Sequence, residues 1–143
     1  YRQTKPSSCL PACARMVLAT FRDYRSEQEL SRVLASREFG TPASNIRRLT
    51  SLGYTVDYRS FSWEELQAVR QLAYSPIVFV DASFLPWADF TGFHAILLIG
   101  ATNDEVILLD PASDLGPVSL AVDGFLAAWE EFDRKAAVIG RGN

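Results

Sequence analysis

Along the first half of the chain apolar residues recur every three or four positions. Along the second half they gather in short runs broken by turn residues. The first pattern predicts helices. One runs from about Cys9 to Phe21, with Cys13, Met16, Val17 and Thr20 as its inner stripe. A second starts at the capping box Ser26-Glu27-Gln28-Glu29 and continues to about Ser36, turning Leu30, Val33 and Leu34 inward. A third spans Ser44 to Gly53, with Ile46, Leu49 and Leu52 on its apolar side and Gly53 as its C-cap. A fourth opens on another box, Ser62-Trp63-Glu64-Glu65, and reaches about Ala73. Between the last two, Tyr54 to Phe61 alternates as a strand does.

The second pattern predicts strands at Pro76 to Val80, Phe93 to Gly100, Glu105 to Asp110, Val118 to Ala121 and Ala136 to Ile139. Asp81 to Gly92 is a long loop carrying Phe84, Trp87 and Phe90, and Asp123 caps a last helix to about Phe132. Thr102-Asn103-Asp104 reads as a hairpin turn, because Asn and Asp tolerate the left-handed conformation. Helices followed by mostly antiparallel strands give an α+β fold, an N-terminal helical part packed on a mainly antiparallel sheet. The 143 residues, without repeat or linker, predict a single domain over 1–143.

Composition narrows the function classes. The net charge of −3 comes from well-mixed signs, which argues against a nucleic-acid binder with a clustered basic face. Apolar runs such as Ala95 to Gly100 are too short to span a bilayer. Cys9 and Cys13 lie one helical turn apart, where a disulfide would distort the helix, so free thiols in a reducing or neutral compartment are expected. A cytoplasmic location, free or on the cytoplasmic side of a membrane, is favoured over secretion. The chain opens on Tyr1 rather than Met, so a longer parent protein is also an expectation.

The chemistry centres on the start of the first helix. Ser7 and Ser8 are N-cap candidates, and Pro11 fits only a first turn. Cys9 therefore stands where free N–H groups and the positive end of the helix dipole converge, which favours a thiolate and supplies donors for an oxyanion. Most helical cysteines are simply small buried hydrophobes. His94 is the only histidine, so any imidazole base must be this one. A three-residue turn at 102–104 pairs residue 101 with 105, sets Ile96 opposite Asp110, and places His94 and Asp110 on one sheet face as diagonal neighbours roughly 7–8 Å apart. A two-residue turn would put them on opposite faces. Asp110 could then fix the imidazole tautomer while the other ring nitrogen faces Cys9, the arrangement of nucleophile, base and orienter. An Asp before Pro, as in Asp110-Pro111, also commonly just starts a turn. Gln3, six residues before Cys9, could fold over the helix start and join the Cys9 N–H in an oxyanion hole. A metal site from His94 with Asp81, Asp89 or Asp110 has too few nitrogen or sulfur ligands, so neither metal nor cofactor is expected.

Taken in order, Gln3, Cys9-Leu10-Pro11-Ala12-Cys13-Ala14-Arg15-Met16-Val17-Leu18, Phe93-His94-Ala95-Ile96-Leu97-Leu98-Ile99-Gly100 and Val106-Ile107-Leu108-Leu109-Asp110-Pro111 resemble a known family. It is the papain-like, bacteriocin-processing cysteine peptidase family, which cleaves after a double-glycine leader. The likeness extends through Ser26 to Leu34 and Leu52-Gly53-Tyr54. It implies Cys9 as nucleophile, His94 as base, Asp110 as orienter and Gln3 as oxyanion donor. It also implies a peptide or protein substrate cut after small residues, and a transporter or larger parent protein as partner. Leu10 stands where many members have Gly, and Ser8 where an acidic residue is frequent. The same fold without turnover, as a peptide-docking module, is the alternative. A slot lined by Trp63, Trp87 or Phe90 would admit only glycine-sized side chains, although aromatics mostly fill cores.

Overall fold

Helix α1 (Cys9–Thr20) is apolar on nearly every side, and nine of its twelve residues are buried, so it forms the axis of the helical part rather than a surface helix. The structure, a computed structural model, describes residues 1–142. Six strands follow: β1 (Tyr54–Ser60), β2 (Ile77–Asp81), β3 (Phe93–Ala101), β4 (Glu105–Leu109), β5 (Pro117–Ala121) and β6 (Lys135–Arg141). They form one sheet in the order β1-β6-β2-β3-β4-β5, with every pairing antiparallel. This is the α+β architecture expected from the hydrophobic pattern.

Alternation along the central strands divides the core in two. Ile77, Phe79, Ala95, Leu97, Ala137 and Ile139 face α1, together with Leu30 of α2 (Glu27–Val33). Val78, Val80, Ile96, Leu98, Val106 and Leu108 face the other way. They meet Leu66 of α3 (Trp63–Gln71) and Phe125, Ala128 and Trp129 of α4 (Val122–Glu130).

The expected third helix is a 3-10 helix, Ala43–Leu52, not an α-helix. Ile46, Leu49 and Leu52 recur at intervals of three, a spacing that stacks on one face of a helix with three residues per turn. Gly53 ends it with φ 92°, a left-handed C-cap that glycine adopts without a Cβ penalty. The two capping boxes differ. Ser62 and Glu65 bond reciprocally. Ser26 accepts from Glu29 N–H, but the Glu29 carboxylate is drawn to Arg25 at 2.7 Å instead. Asp123 lies inside the first turn of α4, whose N-cap is Ala121, so it is not the cap. Thr20 is exposed and leaves the inner stripe of α1.

The hairpin between β3 and β4 has an unexpected construction. Ala101 pairs with Val106 and Gly100 with Ile107, and Thr102 N–H donates to Glu105 O at 2.8 Å, so the tip is residues 103 and 104, one fewer than the three-residue turn. Left alone, that register would send His94 and Asp110 to opposite faces. A β-bulge at Ile99 absorbs one residue, and beyond it Leu98 pairs with Leu108 and Leu97 with Leu109. The register expected at the site is therefore present, though a short tip and a bulge produce it together.

Trp129 is fully buried, stacks on Phe125 at 5.6 Å and donates its indole N–H to Lys135 O at 2.9 Å. Replacing it with Ala should cost about 3–5 kcal/mol, measured as a fall in the urea unfolding midpoint.

Candidate active site

At the end of the sheet where β3 begins and β4 finishes, His94 and Asp110 are both nearly inaccessible to water. His94 Nε2 and Asp110 Oδ1 are 2.6 Å apart. The same oxygen accepts the Ala112 N–H at 2.8 Å, and Oδ2 accepts the indole N–H of Trp87 at 2.9 Å. Pro111 ends the strand and lets the chain fold back over the carboxylate so that Ala112 can donate. Phe90 stands edge-on against the imidazole, ring centroids 4.9 Å apart at 86°. Three donors and one aromatic wall thus fix a carboxylate–imidazole pair in a single geometry.

Cys9 arrives from the opposite side. It is the first residue of α1, and its side chain is near enough to His94 to raise the imidazole pKa. Ser8 holds the N-cap position without capping: its Oγ is turned to Lys5, accepting from Lys5 N–H and donating to Lys5 O. The first intrahelical bond is Ala12 N–H to Ser8 O, and Pro11 has no N–H. The N–H groups of Cys9 and Leu10 therefore have no acceptor among the described residues and remain available at the sulfur. Cys13, one turn on, is a different thiol. It is wholly buried, its Sγ lies 3.4 Å from Ala95 O, and burial, then Cys9 and Asp110, push its pKa well up. Neither cysteine is in a disulfide.

Burial by itself would lower the His94 pKa. The Asp110 hydrogen bond and the Cys9 contact outweigh it and raise the value from 6.5 to about 9. Burial likewise favours the neutral Asp110. The bond to His94, followed by those from Trp87 and Ala112, holds its carboxyl below the ordinary value of 3.8. The two groups together describe an imidazolium–carboxylate pair at neutral pH.

Gln3 is near but differently engaged. Its backbone N–H donates to Pro111 O at 2.8 Å, which ties the lead-in to the end of β4. Its side-chain NH2 donates to Lys5 O at 2.8 Å and Pro6 O at 3.2 Å, while Oε1 is buried without a partner. The structure thus joins His94 to Asp110, sets Cys9 near that pair, and holds Gln3 with its amide hydrogens on the lead-in. Two concavities flank the site and meet at Pro6. One carries Gln3, Phe90 and Ala112; the other, of about 410 Å³, carries Cys9, Phe39, Thr41, Pro42 and Phe93.

Of the three aromatics expected to line a slot, Trp63 packs on Phe125 in the core, Phe90 covers His94, and Trp87 orients Asp110. The Trp87 role was missed from sequence. The available signal was that a half-buried indole needs an acceptor for its N–H. No group of three or more metal-ligating side chains occurs among the described residues.

The chain was compared with known proteins. A family model described as the peptidase C39 family matches residues 1–133. No curated protein matches the chain. The peptidase domain of Streptococcus ComA, a bifunctional ABC transporter of a quorum-sensing pathway, superposes with a TM-score of 0.80 at 19% identity, covering 98% of this chain and 96% of that one. A C39-like peptidase from Bacillus anthracis gives 0.79 at 15% identity, covering 99% and 94%. A double-glycine-motif protease from an AMS/PCAT transporter, solved with its leader peptide, gives 0.74 at 15%, covering 99% and 89%. At these identities the superpositions establish the shared fold.

Because His94 is the sole histidine, its titration is readable without assignment ambiguity. The ring signals in an NMR titration should move with a midpoint near 9, and the midpoint should fall toward the ordinary value in Asp110→Asn. The raised imidazole stabilises the fold fully below 6.5 and loses that contribution as pH rises through about 9. The depressed carboxyl contributes above 3.8 and loses it as pH falls through its lowered value.

Proposed function

The chain belongs to the peptidase C39 family, and from that premise we propose that it is a cysteine peptidase working through Cys9, His94 and Asp110. The observation that carries this reading is the buried 2.6 Å pair of His94 and Asp110, with Cys9 near enough to help raise the imidazole pKa. The residues lie in three distant stretches of sequence, and their convergence at the uncapped start of α1 matches what nucleophilic acyl transfer requires.

In this mechanism the Cys9 sulfur attacks the scissile carbonyl carbon. The tetrahedral oxyanion takes the free N–H of Cys9, and the Gln3 amide supplies a second donor by exchanging its longer bond, to Pro6 O, for the oxyanion. The imidazolium of His94 then gives its proton to the departing amine as the C–N bond breaks, leaving a thioester on Cys9. Water attacks the thioester, His94 accepts its proton, and the carboxylic acid product leaves with the sulfur restored. Asp110 holds the ring in place and balances its positive charge, and Trp87 and Ala112 N–H hold Asp110. Cys13 takes no part, since burial keeps its thiol protonated.

For substrate, we read a peptide with a leader removed after small residues of the double-glycine type, delivered by a transporter or a larger parent protein, with 1–143 acting as one peptidase unit. The family and the fold shared with a leader-bound double-glycine protease support this reading. The concavity that reaches Cys9 between Phe39 and Phe93 offers room for the acyl side of such a peptide. No described helix is long and apolar enough to cross a membrane.

Cleavage of a peptide carrying Gly-Gly before the scissile bond tests the proposal, with products mapped by mass spectrometry. Cys9→Ala should abolish cleavage, and His94→Ala should lower kcat by about 10²–10⁴-fold. Tight binding of the peptide without turnover would instead identify a docking module. The rate should also fall as pH rises through about 9, where His94 loses its proton. Asp110→Asn should draw that alkaline limb to lower pH, since the Asp110 bond is what raises the imidazole most.

A further inference from the structure

Beyond the site, one buried acidic side chain has no role in the chemistry above. Glu27, the first residue of α2, is only 6% exposed. No lysine, arginine or histidine among the described residues forms an ion pair with it. Instead its carboxylate accepts three hydrogen bonds, all from Thr4. The Thr4 N–H reaches Oε1 at 3.2 Å and Oε2 at 3.1 Å, and Thr4 Oγ1 donates to Oε1 at 2.8 Å. A buried carboxylate is costly unless its oxygens are satisfied, so this contact is a defined joint and not incidental packing.

What the joint holds is the stretch that precedes Cys9. Residues 1–7 form no regular element, and Thr4 itself is exposed, so the segment owes its place to a few polar anchors. Gln3 N–H is fixed to Pro111 O at the end of β4. The next residue is fixed to Glu27 at the start of α2. Lys5 is fixed to Ser8, immediately before Cys9. Consecutive anchors on residues 3, 4 and 5 hold the backbone at Gln3 and just beyond it, and Gln3 lines the concavity it shares with Phe90. Glu27 supplies the only one of these anchors that comes from α2, and its side chain is buried.

We infer that Glu27 is a positioning residue, whose carboxylate clamps Thr4 and thereby aims the amide of Gln3 at the oxyanion formed on Cys9. This rests on the peptidase reading given above. The clamp acts on transition-state stabilisation and not on substrate affinity, so its loss appears in kcat.

The test uses the whole chain and a fluorogenic peptide with Gly-Gly before the scissile bond. Gln3→Ala should lower kcat by about 10²–10³-fold, the range for losing one oxyanion donor. Glu27→Gln should lower kcat by about ten- to a hundredfold, in keeping with a small misplacement of a positioned group, at KM within about twofold of the parent. Added to Gln3→Ala, Glu27→Gln should change kcat by less than about twofold, because the two act through one group. Thr4→Val, which removes the hydroxyl bond and keeps the two N–H bonds, should lower kcat in the same direction by a smaller factor, and Thr4→Ser should recover most of it. Thr4→Val also serves if Glu27 variants fail to fold. A Glu27→Gln kcat equal to the parent, or equal losses in both backgrounds, overturns the inference while Cys9→Ala stays inactive. A parent that does not cut the peptide, or a Cys9→Ala that does, overturns the peptidase reading and this inference with it.

Discussion

A carboxylate and an imidazole, both withdrawn from water, sit 2.6 Å apart at the end of the sheet, and most of the surrounding structure serves to make that tolerable. Burial opposes the charge on each group, so the pair persists only because each neutralises the other and the remaining acceptor positions are filled. The aromatic loop contributes Trp87 to one carboxylate oxygen and Phe90 to the ring face. The turn after Pro111 returns a backbone N–H to the other oxygen. An unpaired Asp110 or His94 in the same place would be a local defect, whereas together they store a proton beside a thiol.

The same economy of buried polar groups extends around the sulfur. Besides His94 and Asp110, the buried polar residues among those described are Ser8, Glu27 and Thr41. Ser8 precedes Cys9, Glu27 holds the lead-in through Thr4, and Thr41 lines the concavity at Cys9. None is deep in either hydrophobic cluster. Among the described residues the buried polar side chains thus gather where α1, the lead-in and the ends of β3 and β4 converge. The two apolar clusters on either side of the sheet act as the rigid supports that make such a convergence reproducible.

Much of this was legible in the chain itself. Hydrophobic spacing gave the order of elements. Pro11 marked the first turn of α1, and the single histidine limited the base to His94. The ordered set of short motifs around Gln3, Cys9, His94 and Asp110 pointed to the family that the family comparison identifies. What escaped was structure decided by tertiary contact. The three-residue spacing of Ile46, Leu49 and Leu52 fits a helix of either pitch when ends drift by a residue, and the pitch is visible only once the packing is seen. Glu29 satisfied a capping rule on paper, yet a neighbouring guanidinium competed for it. The Trp87 and Glu27 contacts join residues 23 apart, Trp87 with Asp110 and Thr4 with Glu27, and no local rule reaches that far.

The hairpin of β3 and β4 carries one further consequence. Its tip is one residue shorter than a turn that would align the two strands unaided, and the extra residue at Ile99 makes up the difference. Tip length and strand irregularity are therefore two halves of one sum. A single insertion in the tip, made alone, would rotate Asp110 to the α1 side and break the site, while the same insertion accompanied by loss of the bulge residue would leave it whole. When distant relatives are aligned across this hairpin, a gap in the loop should be matched by a second, opposite gap inside a strand. Grafting a longer loop onto this scaffold requires the same paired edit.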